Sequence, residues 1–395
     1  FVKQNASVNG SGNSWDESVD LQTILNCINE VSLPQKVTMY LAEGTYYPTT
    51  TIDKTISITL RNVNIYGGYD SLSTGIDLSS RDINKYTTTF SGNIADKNSM
   101  YDNSFHVVLV RDSVEINGIS ITEGRACSST FTGGNSGTYS LVRDDNGGGI
   151  ICDVIKNTKF PNGTIVNLIL KNCRIHNNYA WNGGAGYSSP WGQNSLVIDS
   201  CIIEDNKIDQ VLIDAGSIFH LKINGYGPGM VILGNNKVKI NNTIFKGNYS
   251  PNSNGIGIRT NCNIYISNCT FKANIGDGDI YNEGSNSLTH IINSTFSNKV
   301  KINYESASCV FKNSTTTSTI CDHVGKIPNI IIVNSIVLGM DSTYLKNPSV
   351  KVTNSIIKEG LIGDSTNLII HDSLPPYTQW LDTLAYNGGF TPTMR

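Results

Sequence analysis

Three groups of side chains in this 395-residue chain are able to do chemistry. Asp144 and Asp145 are adjacent carboxylates just ahead of a glycine run, Gly147-Gly148-Gly149. Paired carboxylates can divide acid and base roles, but only with a positioned partner and a fixed separation. Chain neighbours fix neither, and a solvated turn before a glycine corner explains the pair as well. Asp277, Asp279, Asn282 and Glu283 bring oxygen ligands together in one short segment, as a calcium loop does. Asp277 and Asp279 are the candidate metal ligands, with calcium the one cofactor suggested; otherwise none is expected. Trp181, Tyr187 and Trp191 sit among Gly and Ser. Aromatics on such a loop can stack on sugar rings or fold back over the body of the protein. The six His are scattered without metal-ligand spacing, and the nine Cys include no C-x-x-C pair.

The elements that must position these groups are short and repeated. Asn254 to Asn274 reads NGIGIRTNCNIYISNCTFKAN, and Gly276 to Lys299 reads GDGDIYNEGSNSLTHIINSTFSNK. Each is a glycine turn, an apolar run, then Asn, a small residue, Thr and Phe. Earlier copies open NGGGII at Asn146, NGGAGY at Asn182 and DAGSIF at Asp214. The small residue recurs as Cys173, Cys201, Thr243, Cys269, Ser294, Ser314, Ser335 and Ser355, at spacings of 20 to 42 residues. Apolar runs this short, rich in Ile, Val and Phe, suit strands rather than helices. Asn and Gly accept the left-handed backbone of a sharp corner. One such unit cannot bury its apolar face alone, whereas stacked copies can.

The pattern predicts an all-β chain, a right-handed parallel β-helix solenoid of ten or so coils. Asn172, Asn242, Asn268, Asn293, Asn313, Asn334 and Asn354 should form a ladder at one corner, with amides bonding the coils above and below. Gly278-Asp279-Ile280 falls where other copies carry Gly-Gly-Ile, so the repeat accounts for Asp279 without a metal. Ahead of the coils, Leu21, Ile24, Leu25 and Ile28 share one helical face, and Asp20 can cap that helix. Such a helix would cover the open apolar end of the first coil. The whole of 1–395 reads as one domain: a cap region over 1–36, coils over 37–360, and an end region over 361–395. Excursions from the coil are expected at 69–104, 127–145, 180–194 and 224–235. A net charge of −3 gives no basis for a nucleic-acid partner. No apolar run approaches a membrane span, so no transmembrane segment is expected. The chain starts at Phe1 rather than Met, as a mature or trimmed chain would.

These repeats resemble those of the polymorphic outer membrane proteins, which carry Gly-Gly-Ala-Ile and Phe-x-x-Asn elements. The matching residues are 147–150, 183–186, Phe245 to Asn248 and Phe271 to Asn274. SGNSWDESVDLQTIL from Ser11, LAEGTYYPT from Leu41 and VNIYGGYD from Val63 are similar to the start of pectate-lyase-like surface proteins of Bacteroidetes type. NGGFTPTM from Asn387 looks like an element near the end of such domains, with Phe390 in place of Pro. The resemblance implies a bacterial cell-surface or secreted protein, associated with the outer membrane, but not one activity. Polygalacturonase-like hydrolases use Asn-Thr-Asp, Asp-Asp, Gly-His-Gly and Arg-Ile-Lys; only Asp144-Asp145 has a counterpart here. The reading therefore leans away from an enzyme, toward an adhesin-like protein binding a glycan or an envelope protein through its excursions. Trp181, Tyr187, Trp191, Asp144 and Asp145 would line one groove. A structural stalk within a surface assembly, and a polysaccharide lyase or hydrolase, are the alternatives.

Overall fold

A computed structural model describes the chain apart from residues 31–34, 50, 127–145, 153–165, 189–194, 209–226, 233–236, 251–255, 277, 283, 303–306, 321–328, 340–347, 359–366 and 371–395. Two parallel sheets of 12 strands and one of 8 run the length of the molecule. Strands β1 (Val2–Ser7), β2 (Val37–Ala42), β3 (Gly44–Tyr46), β4 (Ile58–Leu60), β5 (Val63–Tyr69) and β6 (Thr88–Ser91) begin the winding. The first sheet starts β1-β2-β5, the second starts β3-β6, and β4 ends the third. Register is strict: Ile198 pairs with Ile240, Ile240 with Ile266, and Ile266 with Ile291, all buried. This is a parallel β-helix, a solenoid whose core extends along one axis.

Side chains stack because register places like on like. Phe245 and Phe271 lie 4.7 Å apart and 2° from parallel, and Phe271 and Phe296 are 4.7 Å apart. Thr316 takes the next place in that column. The missing volume is supplied by Phe311 from the neighbouring sheet, where flanking coils carry Ile291 and Ile332. Its ring lies 6.0 Å from Phe296. Bulk has moved between sheets while the core stays filled.

The single described helix, α1 (Leu21–Glu30), buries Leu21, Leu25 and Ile28 in the main core. Asp20 caps it, its Oδ1 accepting the Thr23 N–H at 3.0 Å. The helix packs beside β4, the end strand of the third sheet, and covers that edge. No described helix is long and apolar enough to cross a membrane.

Two features go beyond the sequence reading. Within the 1–36 cap region, β1 joins the first sheet through Val2 and Leu41. Three expected excursions each return to the coil as a strand: Thr88–Ser91 within 69–104, Gly186–Ser188 within 180–194, and Met230–Ile232 within 224–235. Strands of three or four residues have too little alternation of their own to be read. They are held by register with the coils on either side.

Candidate functional site

The corner asparagines do link up. Asn268 Nδ2 donates to Asn242 Oδ1 at 3.1 Å, Asn293 to Asn268 at 3.2 Å, and Asn313 to Asn293 at 3.2 Å. Asn172 donates instead to Asn117 Oδ1 at 3.1 Å, and Asn242 to Asp199 Oδ1 at 2.9 Å. All seven, including Asn334 and Asn354, have φ between 48° and 53°. They lie on the outer side of the corner, however, and all but Asn242 are exposed. The residue after each points inward, and the hydroxyls of Thr243, Ser294, Ser314, Ser335 and Ser355 each accept an N–H from the coil before. Ser314 N donates to Ser335 Oγ at 3.2 Å, and Cys201 N to Thr243 Oγ1 at 3.3 Å. Position and chemistry thus select Ser, Thr or Cys there.

The fully interior ladder is a different one: Asn178, Asn206, Asn248 and Asn274. Asn206 Nδ2 donates to Asn248 Oδ1 at 3.0 Å, and to the carbonyls of Ile175 and Glu204 at 2.9 and 3.0 Å. Its Oδ1 accepts from Asn178 N and Nδ2 at 3.1 and 3.0 Å. The Phe-x-x-Asn spacing marked two of its members, Asn248 and Asn274. The ladder stops where the next coil shortens to Phe296-Ser297-Asn298. There Asp279 fills the gap. It is fully buried, its Oδ1 accepts from Asn274 Nδ2 at 3.0 Å, and its Oδ2 accepts from Asn298 N at 2.8 Å. Burial pushes its carboxyl up to about 7, against the pull of those hydrogen bonds. Asp279 therefore terminates a core ladder; Asp277, its proposed calcium partner, lies outside the described residues.

The aromatic groove is only partly in view. Asp144, Asp145 and Trp191 lie outside the described residues. Trp181 is half-buried, and the backbone of Tyr187 belongs to a coil strand paired with Ile151 and Val231. Tyr187 is thus placed by the coil rather than by a loop.

Register builds a charged column on the outer face of the second sheet, where Thr122, His176, Glu204 and Lys246 align. Arg174 and Lys246 flank Glu204 at 2.6 and 3.6 Å. His176 Nε2 lies 2.9 Å from Ser120 Oγ, and its Nδ1 3.0 Å from Asn177 Nδ2. Burial, then the Arg174 charge, lowers the imidazole below its usual range, so it is neutral near pH 7. Nothing in the scattered placement of the six His foreshadows the contact of His176 with Ser120.

The excursion after Tyr69 is well anchored. Trp15 N donates to Gly75 O at 2.7 Å, and Trp15 Nε1 to Asp77 O at 2.8 Å. Arg81 Nε donates to Gly67 O at 3.0 Å, and its guanidinium lies 5.6 Å from the Tyr66 ring. Between this loop and β1 opens a cleft of about 500 Å³, lined by Lys3, Gln4, Glu43, Gly44, Ser71, Lys85 and Thr87. Ser71 Oγ donates to Glu43 Oε1 at 2.8 Å, and Lys3 Nζ to Ser73 O at 2.9 Å. Gly44 is needed there: at φ 143° its backbone faces Gln4, and a Cβ would come 2.8 Å from Gln4 Oε1. Leu72, beside the lining Ser71, is 83% exposed. This is an open site rich in hydrogen-bonding groups on a fixed frame.

The strand registers thus define a parallel β-helix with a polar cleft near its N-terminal end. No protein-family model matches the chain, and no curated protein matches it. Among solved structures, the crystal structure of pectate lyase Pel9A is similar at a TM-score of 0.48 and 12% identity, covering 90% of this chain and 77% of that one.

Proposed function

We propose that this chain is a non-catalytic, adhesin-like protein, displayed on a bacterial cell surface or secreted, that binds a glycan through loops carried on the coil. The cleft beside β1 carries the reading. Its volume of about 500 Å³ is that of a small-ligand site. Glu43, Gln4, Ser71 and Thr87 offer donors and acceptors suited to sugar hydroxyls, with Lys3 and Lys85 as cationic donors. The coil's inward-facing polar side chains, such as Asn206 and Ser314, are committed to ladders, and loops on a rigid scaffold are well placed for recognition. The surface placement rests on the resemblance of the repeats and of the N-terminal segments.

A glycan array, followed by calorimetry on each hit, tests the proposal. Glu43→Ala and Lys85→Ala should each weaken binding about tenfold while leaving the thermal midpoint unchanged, each costing about one hydrogen bond to a charged group. Binding that is unaltered in both variants would sink it. A second reading, polysaccharide cleavage, is favoured by the Ser120–His176 contact beside Arg174. It requires activity on a uronic-acid polymer that is lost in His176→Ala.

A further inference from the structure

Two of the inward corner residues on successive coils, Cys173 and Cys201, are buried cysteines. Register sets them opposite each other: Lys171 pairs with Asp199 just before them, and Arg174 with Ile202 just after. Cys173 N donates to Cys201 Sγ at 3.4 Å, so one sulfur lies against the backbone of the other cysteine. The two side chains are aimed alike. Cys173 Sγ donates to Lys171 O at 3.1 Å, and Cys201 Sγ to the equivalent Asp199 O at 3.3 Å. Burial pushes the Cys201 thiol well above its usual range, and the Cys173 thiol beside it adds to the push. The other cysteines of the coil stand differently. Cys269 lies in register between Thr243 and Ser294, Cys152 between Val110 and Ser188, and Cys309 between Thr289 and Ile330.

Neighbouring parallel strands lie about 4.8 Å apart, inside the range of about 4.4–6.8 Å that the Cα atoms of a disulfide span. Sulfurs on the same inward side need only turn toward each other about χ1. We propose that Cys173 and Cys201 form a disulfide site, closed by exchange with a low-molecular-weight disulfide, that ties two successive coils together at the corner. The ladder itself does not call for sulfur. Thr243, Ser294, Ser314, Ser335 and Ser355 fill the same place and accept the same N–H through a better acceptor. Two successive cysteines forgo that acceptor and can make a bond that two serines cannot.

The exchange balances with that one co-reactant. One cysteine, as thiolate, attacks a sulfur of the small disulfide and expels one small thiolate. The other cysteine thiolate attacks the mixed disulfide and expels the second. The two protons that leave the cysteines go to the small thiolates, so two protein thiols are oxidised and one small disulfide is reduced to two thiols. Both sulfurs are buried in the wound coil, so the exchange takes place while the corner is open, as the chain winds. A solenoid is held coil by coil, each by its neighbours, and a bridge across 28 residues ties off opening at that point. In-register Cβ atoms stand wider than the roughly 3.8 Å of a relaxed disulfide, so the corner draws in and the bond stays reducible. The surface placement proposed above supplies the oxidising setting. The chemistry of the pair does not depend on that placement or on glycan binding, so a failed glycan array and a failed thiol count are separate results.

The test is to refold the full, reduced chain in a mixture of oxidised and reduced glutathione, block the remaining thiols by alkylation, and count them by mass. Folded wild type should lose two of its nine thiols, and a digest should yield the peptide of Cys173 joined to that of Cys201. Cys201→Ser places the hydroxyl of other coils at that corner and should leave Cys173 reduced. Cys173→Ser does the same for Cys201 if the first variant fails to fold. Cys269→Ser, further along the same ladder, should still form the link. Reductant should lower the melting midpoint of the oxidised wild type by about 3 °C and leave that of Cys201→Ser unmoved. Folded wild type with Cys173 and Cys201 both alkylated, or a link whose reduction does not move the midpoint, overturns the proposal.

Discussion

At the scale of single residues, the two asparagine ladders differ in what removal costs. Asn206 makes five hydrogen bonds inside the coil, to Asn178, Asn248, Ile175 and Glu204. Asn206→Ala strands buried groups on both sides, each worth about 1–3 kcal/mol, and should destabilise by about 3 kcal/mol or more. Asn268 faces water, which replaces its ladder bonds. Its backbone sits at φ 53°, a conformation that costs about 1–2 kcal/mol for most residues and nothing for glycine. Asn268→Gly should therefore lie within about 0.5 kcal/mol of wild type, and Asn268→Ala should cost about 1 kcal/mol. Urea denaturation measures all three. Equal losses for Asn206→Ala and Asn268→Gly would show that the inner ladder is not the structural one.

At the scale of elements, the aromatic column makes its own prediction. Phe311→Ile alone removes the ring that compensates for Thr316, and should cost about 1–3 kcal/mol. Thr316→Phe alone overfills the same space. Together they restore the column in its own sheet, so the double variant should be more stable than the sum of the singles, by at least 1 kcal/mol in a double-mutant cycle. Strict additivity in thermal melts would refute the exchange. This pair also shows what could be read from sequence. The repeating Asn, small residue, Thr and Phe disclosed the solenoid and the corner, and the shared face of Leu21, Ile24, Leu25 and Ile28 disclosed the helix that covers its first edge. Thr316 in place of Phe reads as an imperfect copy, because the compensating ring comes from another sheet. The cleft was hidden for the same reason: Lys3, Glu43, Ser71 and Lys85 are brought together by winding. The departure of the chain from the coil after Tyr69 was legible, but the hydrogen bond between Ser104 and Gly92 that closes part of it is one no spacing reveals.

At the scale of the whole molecule, two buried groups far apart in the chain oppose each other in pH. Asp279 has its carboxyl pushed up to about 7 by burial, from 3.8. Between those values the folded state holds a proton that the unfolded state has lost, so this group makes stability fall as pH rises. His106 is also buried; its Nδ1–H donates to Gly147 O at 3.0 Å, and its Nε2 has no partner. Burial drives its pKa from 6.5 down to about 4. Over that interval the unfolded state holds the extra proton, so His106 makes stability rise with pH. Each slope approaches about 1.4 kcal/mol per pH unit. They coincide from about pH 4 to 6.5 and largely cancel, with His176 adding a smaller rise of the same sign as His106. Wild type should therefore show a nearly flat urea midpoint across that window. Asp279→Asn removes the falling component and should leave stability rising with pH. His106→Gln keeps a donor for Gly147 O, removes the rising component, and should leave stability falling. Opposite slopes in the two variants, around a level wild type, are the expected result. Two variants that both parallel wild type would mean that neither group carries its charge change through folding.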